Sequence, residues 1–442
     1  MSQILWDVVE EHLDEAEYLA EVWHTNLDSP AYLRDEFEAG PQERLLAHVD
    51  GLVVGGDPVR TDLLETTLAD EETEQWRACA AALALLETPS SQVSACLFHD
   101  LHERSEDVRA GIVSALAMSG RKDIDVRITD ALKKPGDLEH RIALATVGGQ
   151  RGVNPGNLVD DLLKLEDPRS RAAAVSMLPY GDRRYLNWVE HCLASPDPAL
   201  ATSSAHAGLI MGSGPAWQHV GKLGLAAEPD GAAMVLLAGL ADARIVERLQ
   251  GRLDEEEVRP SVLHALGYSG RRGAMEACLQ WLDDEAVAAL AGEAFAAMTG
   301  LPLDDDTYWD DVEEAEDEDE DEDDLDADLE DEDLEEDLSL SAQEELRIPK
   351  PDAIAQWWSE HQARFNAKTR YIAGRPADQT AVAHAMRVLP LRRHHALAFE
   401  LLVRSKGQVN VRSRALTFAS TPALEALVGM PRIDGNRVYG QH

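Results

Sequence analysis

Apolar positions along the chain recur at helical rather than strand spacing. Near the start, Ile4, Val8, His12, Ala16, Leu19 and Trp23 fall approximately on one face, which predicts a helix from Ile4 to Thr25. Leu45-Leu-Ala-His-Val-Asp-Gly-Leu52 then leads towards a region, residues 73–300, that repeats loosely with a period of about 30. Val108-Arg-Ala-Gly-Ile-Val-Ser-Ala-Leu-Ala-Met-Ser-Gly120 aligns with Val258-Arg-Pro-Ser-Val-Leu-His-Ala-Leu-Gly-Tyr-Ser-Gly270. Similar segments open near Trp76, His140, Ser170, Leu200, Ala232 and Val287. Each is apolar at helical spacing, has small residues inside and ends near a glycine suited to a C-cap. A second amphipathic segment follows at Ile124–Leu132, Leu158–Leu165, Leu186–Leu193, Ile245–Leu253 and Met275–Leu282. Asp167-Pro168, Asp197-Pro198 and Glu228-Pro229 recur at the same interval, an acid as N-cap with proline in the first turn. The pattern predicts about seven or eight helix pairs stacked as a curved right-handed α-solenoid.

Composition agrees with helix. Hydrophobic residues are 44% of the 442, enough for a core, and aromatics only 5%. The longest apolar runs, such as Ala80–Leu86, are far below the roughly 20 residues of a membrane span. The acidic, amphipathic start is unlike a signal peptide. Cys79, Cys96, Cys192 and Cys278 lie far apart with no CxxC, as expected of buried thiols in a reducing compartment.

Charge divides the chain. The 83 acids outnumber 40 bases, for a net −43, which opposes a general nucleic-acid or anionic-membrane binder. Asp304 to Asp337 holds 25 acids and no base, a density that predicts disorder. From Arg347 to His442, 15 bases face 6 acids, so the tract is expected to fold back on a basic module and screen it. Four units follow: an N-terminal helical cap (1–72), the repeats (73–303), an acidic disordered linker (304–346) and a small basic helical region (347–442).

No constellation reads as catalytic. P-loop, dinucleotide and serine-elbow motifs are absent. His99 and His102 stand at i, i+3 with no nameable third ligand, so neither a metal nor a cofactor is expected. Arg109, Arg141, Arg171 and Arg259 each sit early in a repeat and are expected to pair with acids of the neighbouring repeat. Trp357, Trp358, Arg364, Phe365, Arg370, Tyr371 and Arg375 are candidates for binding a partner, because Trp, Tyr and Arg dominate interface hot spots. The same aromatics also suit a hydrophobic cap on the array. Arg392-Arg-His-His395 reads as a solvated helix start.

The helix pairs resemble HEAT-like repeats of the short bacterial kind. Further motifs in order are His12, Arg44…Ala47-His48-Val49-Asp50-Gly51-Leu52, Ala294-Phe295…Thr299-Gly300 and Trp357-Trp358…Arg364-Phe365…Arg370-Tyr371…Gly374-Arg375-Pro376. Together they resemble a family of proteobacterial HEAT-repeat proteins often encoded in type VI secretion gene clusters; the acidic insertion departs from that pattern. The resemblance implies an all-α HEAT-like solenoid and a gene context, and it brings no catalytic residues. The expected function is a non-enzymatic, cytoplasmic interaction scaffold, an adaptor or effector-handling protein. Its partner would be a protein such as a secretion effector or spike component, with no specific nucleic acid and no membrane. The alternatives are an immunity protein capping a toxin and a HEAT-scaffold enzyme of lyase or hydroxylase type.

Overall fold

The computed structural model describes residues 4–88, 96–99, 101–134, 136–310 and 345–440. These are mostly helical, and the only strands among them are the two-residue pairs Trp309–Asp310 with Ile348–Pro349 and Tyr371–Ile372 with Arg375–Pro376. No helix among them is long and apolar enough to cross a membrane.

Helices begin where capping chemistry places them. Asp167 and Asp197 accept from the backbone N–H of Ser170 and Leu200, ahead of helices that open on Pro168 and Pro198. At the third site the cap is Asp230, bonded to Ala233 N–H, and the helix starts at Gly231 rather than after Glu228. Gly152 and Gly212 end their helices at φ 80°, a left-handed conformation that costs glycine little. The first helix runs Trp6–Asn26, and its buried face is Val9, Leu13, Ala16, Leu19, Ala20 and Trp23. Val8 is exposed, so the face is rotated by about one residue from that read in the sequence.

The described residues between 75 and 299 are helical at most of the positions read from the sequence. The first helices pack on one another in series: Gln75–Glu87, Glu106–Met118, Leu138–Arg151, Pro168–Met177 and Pro198–Met211. A second series is Gly231–Leu240, Arg259–Leu266 and Ala288–Thr299. Between the series contact passes through Gly214–Gly224, a helix absent from the sequence reading, and through Leu391–Arg404, which packs on both Pro198–Met211 and Gly231–Leu240. The second helices Asp123–Leu132, Leu186–Cys192 and Arg272–Cys278 lie against the first helix that follows each, and Ala243–Gln250 lies against both its own first helix and the next.

The buried apolar side chains divide at the same place. One cluster runs from Val9 to Met211 and includes Leu391 and Leu416; the other runs from Leu193 to Leu427 and includes Trp309, Leu346, Ile354 and Trp358. The core is therefore not divided at 303 and 347, where the charge density changes. Most of the acidic segment, 311–344, lies outside the described residues. Its two described ends are packed: Trp309 is 1% exposed, donates from Nε1 to Pro302 O at 2.7 Å, and sits in the strand that pairs with Ile348–Pro349. The expectation of a linker from 304 to 346 is corrected at these ends, because Trp309 and Leu346 bring apolar surface to bury.

Candidate functional site

The C-terminal region folds back along the first helices and makes a seam from the last repeat to the first helix of the chain. At the far end, the Trp357 and Trp358 rings pack edge-on against Phe295, and Trp358 stacks on Phe365, which meets Tyr371. Close backbone approach requires glycine here. A Cβ at Gly270 would lie 1.9 Å from Tyr371 O, and one at Gly300 would lie 2.8 Å from the Ala373 backbone. Trp358, Phe365, Arg370 and Tyr371 are thus buried and face the protein's own core. This corrects their assignment as partner-binding residues and matches the cap reading. Trp357 is half-buried, and Arg364 and Arg375 are exposed.

Two buried carboxylates hold the seam. Glu400 accepts from Arg370 Nη2 at 2.7 Å and from Nη1, and from Arg404 Nε at 2.6 Å. Arg370 also donates to Ser269 O at 3.0 Å and Tyr268 O at 2.7 Å. Glu293 accepts from Arg392 Nη2 and Arg393 Nε, each at 2.7 Å, and from Arg393 Nη2. Arg393 Nη1 further donates to His264 O at 2.9 Å. Burial opposes ionisation of both carboxyls, but Arg393 and Arg392, and Arg370 and Arg404, hold them below the usual range. Burial with the adjacent Arg393 pushes His264 down to about 3. Arg392 and Arg393 are not a solvated face; the sequence signal for them was the lone acid Glu293 inside Ala288–Thr299, an otherwise apolar helix.

At the near end the seam joins the termini. Leu391 N–H donates to Tyr32 O at 3.0 Å, and Gln42 and Thr417 bond reciprocally at 2.6 and 2.8 Å. Arg34 donates to Thr417 O and, at 2.9 Å, to the hydroxyls of Ser420 and Thr421. His395 Nε2 lies 2.9 Å from Leu27 O, which can only accept, so Nε2 carries the proton and Nδ1 accepts from Ser413 Oγ at 2.9 Å. Leu416 N–H, at 3.1 Å from Met118 O, and Arg412 Nη2, at 3.0 Å from Ser119 O, satisfy carbonyls left open where Glu106–Met118 ends. Within the N-terminal part, His12 and His48 bring their Nδ1 atoms to 3.2 Å, and Gly51 lies under the His12 ring. The separated motifs of the sequence therefore meet in pairs: His12 with His48 and Gly51, Phe295 with Trp357 and Trp358, and Gly300 with Gly374.

Three repeat arginines find acids. Arg109 is 3.9 Å from Glu139 of the next repeat, and Arg259 is 3.4 Å from Asp284 in the loop before the next. Arg141 instead pairs at 2.8 Å with Asp161 on its own repeat's second helix. Arg171 Nε has no hydrogen-bond partner among the described residues. His102 lies 4.0 Å from Glu103, and no group of three or more His, Cys, Asp or Glu among the described residues is placed to hold a metal. Burial pushes the Cys79 and Cys278 thiols up to about 12 and that of Cys96 to about 11, which removes thiolate character at neutral pH.

With the first helices partly covered by the seam, the second helices present large apolar side chains to solvent. Val126, Leu165, Trp188 and Leu223 stand on, or at the end of, four consecutive second helices and are 61, 38, 37 and 41% exposed. Sequence reading missed them because each fits the amphipathic pattern of its own helix. Comparison with known proteins gives no match, either to a family model or to a curated relative.

Proposed function

We propose that the chain is a HEAT-like α-solenoid serving as a non-enzymatic interaction scaffold, a cytoplasmic adaptor or effector-handling protein of the type VI secretion class its motifs resemble. The helix pairs and their serial packing support the solenoid reading. The observation that carries the binding reading is the exposure of Val126, Leu165, Trp188 and Leu223, one per second helix along four repeats. Isolated exposed apolar residues are ordinary, but one on each of four consecutive second helices is how an array presents a surface to a protein. The burial of Trp358, Phe365 and Tyr371 favours this face over those aromatics as the docking surface.

A variant carrying V126S, L165S, W188A and L223S tests the proposal. Its Tm should stay close to wild type, because surface changes away from structural features shift stability by about 0.5 kcal/mol or less each. Affinity capture alongside the products of a type VI secretion cluster should then show a bound effector or spike component, held at least about tenfold more weakly by the variant. Undiminished binding by a folded variant would refute the assigned face.

A further inference from the structure

A cavity of about 450 Å³ opens between the first series of first helices and the C-terminal region. Volumes of roughly 300–1,000 Å³ are typical of small-molecule sites. One wall is apolar, with Val113, Ala117, Met118, Phe399 and Leu402; the other is polar and carries no carboxylate. Arg412 lies on the polar wall. Its Nη2 is held by the Ala117 and Ser119 carbonyls, while Nε and Nη1 make no hydrogen bond among the described residues. No carboxylate among the described residues pairs with it either; the nearby Asp125 is bonded to Arg151 at 2.5 Å. Arg414 also lies on the lining, where Asp28 pairs with it at 2.7 Å. Asn410 also lines the cavity, its Nδ2 buried against Gly152 without a partner among the described residues, and the His206 ring lies 4.7 Å from Phe399.

A guanidinium withdrawn from water without a counter-ion is costly, and so is a buried amide N–H without an acceptor. The carbonyl end of Glu106–Met118 offsets part of the Arg412 charge, but Arg151 donates to the same Ser119 carbonyl. We propose that this cavity binds an organic anion with an apolar body, a carboxylate or phosphate-type head on the Arg412 guanidinium and an apolar portion against Phe399, Leu402 and Met118. The ligand supplies what the lining lacks: acceptors, negative charge and apolar volume. This site is independent of the second-helix face and stands or falls separately from it.

The test uses the intact chain and two fluorescent probes of similar shape, 8-anilinonaphthalene-1-sulfonate and its uncharged counterpart N-phenyl-1-naphthylamine. The sulfonate should bind at one equivalent per chain, and the neutral probe at least tenfold more weakly. Arg412→Gln should weaken sulfonate binding at least tenfold. Because Arg412 also anchors a helix end, Ser114→Phe is the second variant; Ser114 lines the cavity, and the larger ring should fill it and abolish binding while leaving Arg412 in place. Near-ultraviolet circular dichroism must be unchanged in a variant for its titration to count. Inorganic phosphate distinguishes the head alone from the whole ligand: displacement of the probe only above millimolar phosphate is expected, because the apolar wall is then left empty. Equal affinity for the two probes, or undiminished sulfonate binding by folded Ser114→Phe, would overturn the proposal.

Discussion

Glu293 and Glu400 are 3 and 5% exposed, and each accepts from two arginines. A buried carboxylate so bonded is strongly destabilising to break, because the partners' charges are left behind. Glu400→Gln leaves Arg370 and Arg404 without their anion and should cost about 3–5 kcal/mol in chemical denaturation. A loss within 1 kcal/mol would show that the pair is not buried as described. The histidines of the seam give a pH signature. Burial, with Arg414 nearby, pushes His395 down to about 4, and burial pushes His394 to about 3, from an ordinary 6.5. Between those values the unfolded chain binds more protons than the folded one, so stability rises with pH across the window. Tm should therefore fall as pH drops from about 6.5 towards 4, and His395→Asn should remove part of the slope. A Tm constant between pH 7 and 4.5 would contradict this. These groups were only half legible in the sequence. Arg392-Arg-His-His395 stood out as a charged run, but nothing local says that Glu293, a hundred positions away, is its partner.

Helix pairs were legible because their signals are local: the period, the small residues and the Asp-Pro starts all act within about a dozen positions. Gly214–Gly224 escaped, although Ser213 caps it through Ala216 N–H and Pro215 opens it, because its glycines interrupt the apolar pattern. Aromatics at 357–371 were legible as a group, while their partner Phe295 was identified only through family resemblance. Trp358 is 7% exposed between Phe295 and Phe365, so Trp358→Ala should destabilise by about 3–5 kcal/mol, read from denaturant midpoints. An unchanged midpoint with lost partner binding would instead return it to the surface. Trp309 carries a similar consequence for the acidic segment. Excising residues 304–337 removes the Trp309–Asp310 strand and its bond to Pro302 O, so Tm should fall rather than stay constant, as a wholly unstructured linker would require.

Charge has a different meaning for the whole molecule than along the sequence. The excess of bases after residue 346 implied a separate module with a basic face. In the fold much of that charge meets acids of the preceding chain: Arg347 with Asp306, Lys350 with Asp310, Arg392 and Arg393 with Glu293, and Arg414 with Asp28. The division into acidic body and basic tail is thus the complementarity of one folded unit. Contacts 300 or more residues apart leave no periodic trace, which is why the fold-back was not legible while the repeats were. The seam also covers first helices and leaves Val126, Leu165, Trp188 and Leu223, the face proposed to dock a partner, outward. A contact 386 residues apart in sequence offers the direct test. Arg414 Nη2 lies 2.7 Å from Asp28 Oδ1, so in an Arg414→Lys variant a zero-length carbodiimide should join residues 28 and 414 through an amide. Peptide mass spectrometry should find that linkage at low protein concentration and lose it in Asp28→Asn, Arg414→Lys. Linkages confined to residues 345–440, with none to residue 28, would contradict a C-terminal region closed over the first helices.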